Sequence, residues 1–339
     1  MVPAPRKCRR VTSLSIRPVR KLTAEERTMT TPQPSDAAPA SAFGPLPSAS
    51  EVLRETAGEA PRVILTLQYP PAVPLEAEVI SPDRFLGLSP ADIAALPVFH
   101  GKRQCRLEDF FTVEVVAAAE RSGPVAPWIE VHGDASRVKW LGRGMSQGRL
   151  SVYGAAGMHL GAYMSGGAIE VFGRAGDWVG AEMSGGTIHI HGDAGGQAGA
   201  AYRGSSVGMR GGLIVIDGSA GIEIGMRMRR GTIVIRGPVR DFAGLQMTGG
   251  TIVLLSGAEL RTGAWMARGT IVSLVPLSLL PTFGRCCLYQ PTFLSLYARY
   301  LQPFGIHLPH GHRQGFYHRW IGDRSVPGRG EILVWEPQP

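Results

Sequence analysis

Four groups of side chains in this 339-residue chain have types and spacings that could do chemistry. His189 and His191 stand two apart in Thr187-Ile-His-Ile-His191. On a strand they share one face, opposite to Ile188 and Ile190, so both point outward. Two imidazoles become a metal site when a third donor joins them. None lies near in sequence, so the pair is read as solvated or at an interface, and no metal is assigned. His307, His310 and His312 follow the adjacent Cys286 and Cys287 at spacings that match no zinc signature. The acids Glu170, Asp177, Glu182, Asp193, Asp217, Glu223, Asp241 and Glu259 occur singly. None has an evident neighbouring base for acid–base work.

Arginine makes the fourth group. Arg203, Arg227, Arg229 and Arg230 are the candidate contacts for a carboxylate or a partner surface. They lie within a wider set of Arg210, Arg236, Arg240, Arg261 and Arg268. A guanidinium fork matches a carboxylate in two-point contact, and the competing reading is a solvated face. The chain has no P-loop, no nucleophile elbow and no His-Glu-x-x-His motif. No catalytic residue is assigned, and no cofactor is expected to be bound by this chain.

The formal charge of +8 is unevenly placed. Residues 1–28 hold eight basic and two acidic side chains, which leaves +2 for the rest. A nearly neutral main body needs no nucleic-acid partner to explain it. The basic arm fits a contact with an acidic partner, a transit-like segment, or an early start codon with Met29 as the true start; the last is favoured. No run of 18 apolar residues is present, so no membrane span is expected. The four cysteines lack CxxC spacing, and a reduced, cytoplasmic setting is expected.

The elements that must position these groups come from a repeat. The glycine of the pattern Gly-x-[Ile/Leu]-x-[Val/Ile/Leu] recurs at 148, 167, 186, 212, 231, 250 and 269, a spacing of 19 broken once by 26. Three residues earlier stand Met145, Met164, Met183, Met209, Met228, Met247 and Met266. Three residues before most of these stands a second glycine, with Gly199 displaced by the insertion. A fixed period near 20 marks stacked repeats. One short strand per unit, glycine corners and no helical periodicity predict an all-β dominated fold, a single-stranded β-helix of about seven 19-residue coils about 4.8 Å apart. The methionine ladder reads as flexible core filler rather than a metal or redox site. The seven extra residues, within Tyr202–Met209, are either a binding loop or a tolerated excursion.

The expected organisation is a basic and Pro/Ala-rich extension over 1–61, a small α/β cap region over 62–126, the repeat domain over 127–273, and an α+β tail over 274–339. Ser89-Pro90-Ala91-Asp92 predicts a helix start, with the helix running through Leu96. Phe293, Leu296, Tyr297, Tyr300 and Leu301 fall at helical spacing and predict one apolar face. Glu331–Trp335 predicts a final strand. The end regions are expected to cover the unpaired strand edges that a stack exposes.

The Gly-x-x-Met-x-x-Gly-x-Ile-x-Val unit resembles the glycine-rich C-terminal domain of glutamate synthase, and more closely the C subunit of formylmethanofuran dehydrogenase. Val79-Ile-Ser-Pro-Asp83, Leu88–Leu96, His100-Gly-Lys-Arg103 and Leu107–Phe111 look like the opening of that family. Leu280-Pro-Thr-Phe283, Arg319–Asp323 and Gly328–Leu333 look like its bacterial form, in the formyltransferase/hydrolase complex. The resemblance covers about residues 62–339. It implies a non-catalytic scaffold subunit whose partners are the hydrolase and formyltransferase subunits. The complex would move a formyl group from formyl-tetrahydromethanopterin to a methanofuran-type carrier and release formate, with both small molecules handled by the complex. The alternatives are an independent β-helix enzyme, or a glutamate-synthase-like accessory assembly domain.

Overall fold

A strand-forming unit of Ile and Val alternating outward and inward cannot bury both edges alone, so each repeat pairs with its neighbours. The computed structural model describes residues 60–116 and 125–337, all within one compact unit, 47–339. The basic arm and most of the extension expected over 1–61 lie outside the described residues.

The described chain opens with β1 (Arg62–Leu67), β2 (Leu75–Glu76), the short helices α1 (Pro82–Phe85) and α2 (Pro90–Ala94), then β3 (Pro97–His100), β4 (Arg103–Arg106) and β5 (Phe111–Val116). Helix α2 begins where expected, with Ser89 and Asp92 capping each other's backbone N–H, but it ends two residues short of Leu96. Next come β6 (Trp128–His132), β7 (Val138–Lys139), β8 (Arg149–Tyr153), β9 (Ala168–Val171), β10 (Thr187–Ile190), β11 (Arg210–Ile216), β12 (Arg230–Ile235), β13 (Thr248–Leu254) and β14 (Arg268–Ser273). The tail carries β15 (Gly284–Tyr289), α3 (Leu294–Leu301), α4 (His310–Arg313), β16 (Phe316–Gly322) and β17 (Gly330–Glu336).

The protein is mostly β. Thirteen strands form one sheet in the order β15-β16-β17-β14-β13-β12-β11-β10-β9-β8-β6-β1-β5, and β4-β3-β2-β7 form a second. In the larger sheet the strands from β6 to β14 are parallel, and the aligned apolar columns pair in register: Ile129, Leu150, Ile169, Ile188, Ile214, Ile233, Ile252 and Ile271 meet in sequence. A second series of parallel bridges joins Ala135, Ala156, Ala175, Ala194, Ala220, Val239 and Ala258, a column that the sequence also repeats. A third links the corner glycines to the repeat before, as in Gly161 N–H to Leu141 O and Gly180 N–H to Leu160 O, each 2.8 Å.

The methionine and glycine columns interlock. Each methionine's terminal methyl stands 2.5–2.8 Å from where a Cβ on the next repeat's glycine would be, Met145 over Gly167 through Met266 over Gly330. All seven methionines are fully buried. The glycine is needed because the neighbouring repeat's side chain fills its Cβ position, a close approach that glycine alone permits.

Both ends of the parallel ladder are covered. β1 adds in parallel to β6 and β5 adds antiparallel outside it. At the other end β17 pairs in parallel with β14, Ile332 meeting Ile271. Gly330-Glu-Ile-Leu-Val334 thus continues the repeat pattern, its glycine 61 positions after Gly269. Helix α3 differs from the expected face. Leu294, Ala298 and Leu301 are buried, while Leu296 is 72% and Tyr300 52% exposed. The buried side packs with Leu213, Val215, Val234, Val253 and Val272 on the outer face of the ladder. No helix among the described residues is long and apolar enough to cross a membrane.

Candidate functional site

The outer face of the ladder changes chemistry along its length. The strand position between the two inward columns is Glu130, Ser151, Glu170 and His189 in β6, β8, β9 and β10. From β11 onward it is Val215, Val234, Val253 and Val272, the part that α3 covers. A valine with isoleucines on either side reads as a strand buried on both faces. The shift from Glu and His to Val was therefore present in the sequence and marks where the chain covers itself.

The part that α3 does not cover holds a continuous polar and aromatic network. Rings stack from His132 to Tyr153 (4.7 Å), to Phe172 (4.8 Å), to His191 (5.0 Å). Beside them Arg149 binds Glu170 (2.6 Å), whose other oxygen lies 3.0 Å from His191 Nε2. His191 Nδ1 lies 3.2 Å and His189 Nε2 2.9 Å from the same oxygen of Asp217. Arg236 forms an ion pair with the other Asp217 oxygen at 3.1 Å and donates to the Phe304 carbonyl. Hydrogen bonds to Asp217 and then Glu170 raise His191 to about 9, so at neutral pH it is a cation held between two carboxylates. Burial alone would push the Asp217 carboxyl up, but its bonds from His189 and His191 hold it well below the usual carboxylate range.

The missing third donor beside His189 and His191 is Glu170. It lies 19 residues before His189 and stands opposite it in the ladder. Reading the aligned columns across repeats, instead of along the chain, would have found it. Glu170, His189 and His191 are the one group of three metal-capable donors within mutual reach among the described residues. The tail histidines do not join the cysteines in such a group. His312 stacks on Trp335 at 4.3 Å, and His307 lines a separate cavity of about 460 Å3 with Arg299 and Arg313.

A second cluster surrounds the insertion. Trp140 and His159 stack at 4.1 Å, and Tyr202, the insertion's first residue, packs on Trp178 at 4.8 Å. The Tyr202 hydroxyl lies 2.9 Å from His159 Nδ1. Burial, with the Lys139 charge, lowers His159 to about 4, so the ring is neutral and its Nδ1 shares one hydrogen bond with the Tyr202 hydroxyl. The unfolded ring titrates near 6.5. As pH falls from about 6.5 to about 4 the unfolded chain takes a proton that the folded one refuses, so stability drops across that window and levels below it. Melting temperatures of the protein and of His159→Gln should diverge most at neutral pH and converge toward pH 4. Parallel profiles would exclude this role.

The candidate arginines do not converge on one spot. Arg227, with φ of 57°, turns inward to donate to Gln246 Oε1 (2.7 Å) and to the Ser205 carbonyl of the insertion (2.5 Å). It lines a cavity of about 380 Å3 with Gln246 and Trp265. Arg203 is exposed on the insertion. Arg229 and Arg230 are exposed, and Arg230 stands opposite Arg210. Arg261 is taken by Asp241 and the Phe242 ring, and Arg240 faces Glu259 at 4.0 Å.

Residues 135–275 match the GXGXG motif family. The chain is 43% identical over 106 residues to the C subunit of a molybdenum-containing formylmethanofuran dehydrogenase 1 from Methanosarcina barkeri, which is 31% of this chain and 34% of that protein. It is 41% identical over 100 residues to the C subunit of a tungsten-containing formylmethanofuran dehydrogenase 2 from Methanothermobacter wolfeii, which is 30% of this chain and 36% of that protein. The matches thus span about a third of the length of these curated relatives. Among solved structures, a chain of the formyltransferase/hydrolase complex from Methylorubrum extorquens, determined with methylofuran, superposes with a TM-score of 0.71 at 32% identity. That match covers 81% of this chain and 100% of the other.

Proposed function

The chain belongs to the family of formylmethanofuran dehydrogenase C subunits, and from that premise we propose that it is the non-catalytic scaffold subunit of a formyltransferase/hydrolase complex. The observation that carries this reading is the match to one chain of such a complex, which spans 81% of this chain and all of the other. In this reading the formyl group passes from formyl-tetrahydromethanopterin to a methanofuran-type carrier on the partner subunits, where formate is then released. This chain contributes rigid surface. Its interlocked Met and Gly columns use the side chains of the repeat for packing, and the exposed ring row of Tyr153, Phe172 and His191 along the outer face is suited to a partner.

The ladder is, in this reading, a single-stranded β-helix of about seven coils. Support comes from three hydrogen-bonded columns per repeat: the strand, the alanine bridge and the glycine corner. The end regions, 62–126 and 274–339, act as caps. A cytoplasmic setting is supported by the free thiols of Cys105, Cys286 and Cys287. Arg203, Arg229 and Arg230 are the residues proposed to meet a carboxylate or an acidic partner surface, with Arg227 holding the insertion in place.

Co-expression with tagged hydrolase and formyltransferase subunits tests the reading. The chain should co-purify with them, and alone it should neither transfer formyl groups nor release formate. Robust turnover by the isolated chain would overturn the scaffold role. Changing Arg203, Arg229 and Arg230 together to Ala should weaken assembly or carrier affinity without unfolding the chain. Unaltered assembly and affinity would remove those residues from the interface.

A further inference from the structure

The outer face of β9 and β10 places two imidazoles and a carboxylate on a rigid frame. Glu170 and His189 are opposite each other on adjacent strands, and His191 is two residues further along the same face. Their donor atoms all lie within 4.8 Å of one another. We propose that Glu170, His189 and His191 form a binding site for one divalent transition-metal ion of the zinc, cobalt or nickel class.

Two imidazoles with one carboxylate is a donor set that these ions accept, and it leaves a position open for water or an external ligand. Magnesium and calcium, which prefer oxygen, are disfavoured by it. The surroundings are arranged as outer partners of such a site. Asp217 takes one nitrogen of each ring, Nε2 of His189 and Nδ1 of His191, leaving Nδ1 of His189 and Nε2 of His191 for the metal. Arg149 holds the second oxygen of Glu170 and so aims the first at His191. Carboxylates that orient ligating histidines this way set their tautomer and basicity. Phe172 packs on His191 and the edge of Phe304 on His189. The side chains of Glu170, His189 and His191 keep only 20%, 13% and 33% of their surface exposed, so the donors are already largely desolvated before an ion arrives.

Cobalt(II) titration of the chelator-stripped full chain, with Cys286→Ser and Cys287→Ser to remove the exposed thiols, tests the site. One cobalt per chain is expected, with d–d absorption of nitrogen and oxygen ligation and no sulfur charge-transfer band. Glu170→Gln, which keeps the side chain's shape, and His191→Ala should each abolish stoichiometric binding. Asp217→Asn should weaken it by about 10- to 100-fold. His307→Ala should leave it unchanged. Circular dichroism checks that each variant is folded, and the near-isosteric Glu170→Gln keeps the test decisive if His191→Ala is not. Failure to bind cobalt or zinc stoichiometrically, or binding that persists in Glu170→Gln or in His189→Ala/His191→Ala, would overturn the proposal. Neither result bears on co-purification with the partner subunits.

Discussion

Gly185→Ala is expected to destabilise the protein by about 3 kcal/mol, the upper end of the usual range for forcing atoms into a packed interior. A Cβ on Gly185 would fall within the Ser165 carbonyl oxygen of the repeat before. The Ser165 carbonyl is flanked by N–H groups of Ser165 and Gly166 that both bond to the Met145 carbonyl of the preceding repeat, so it cannot swing aside freely and the two repeats must separate. Gly161→Ala is the internal comparison. Its new Cβ would meet Ile188 Cδ1 at 2.6 Å, the flexible end of a side chain, and its φ of +62° adds the left-handed penalty of about 1–2 kcal/mol. Urea unfolding at constant slope reports the difference as a shift in midpoint. A Gly185→Ala variant no less stable than Gly161→Ala would show that the repeats do not approach as closely as described.

The second large effect is expected at the far end of the ladder. Ile332→Ala should cost about 2–5 kcal/mol, the range for truncating a fully buried large aliphatic side chain. Ile332 is wholly buried, pairs with Ile271, and reaches the corner at Gly263 beside Phe283. Leu296→Ala, on the exposed side of α3, should stay within about 0.5 kcal/mol. Loss of this contrast would mean that β17 does not complete the ladder. Binding of a hydrophobic dye should rise in the Ile332 variant alone, because loosening β17 uncovers the edge of β14.

Much of this was legible in the sequence because the repeat is a local code. The 19-residue spacing identifies the inward isoleucines and the methionines, and both columns are buried as expected. The alanine column at 156, 175, 194, 220 and 258 was equally readable, since it keeps the same offset from the aligned glycine. So was Gly330-Glu-Ile-Leu-Val334, hidden only by the 60 residues that separate it from Gly269. The apolar face of α3 was misread at Leu296 and Tyr300. Spacing places side chains around a helix, but it does not say which arc meets the sheet.

By itself, then, the sequence determined the period, the strand of each repeat and the residues that fill its interior. Those properties depend on neighbours a few positions away and on one repeated offset. The tertiary structure alone decided how distant side chains combine. His191 lies between Glu170, 21 residues before it, and Asp217, 26 residues after it, and its charge follows from both. Arg227 looked like part of a free basic cluster but turns inward to hold the insertion. The reason is geometric: pairing in register brings residues from three successive strands within hydrogen-bond reach, and ring orientation and burial then fix which atoms meet. That also changed the reading of His189 and His191, from two outward imidazoles lacking a third donor to part of a charged, partly buried network.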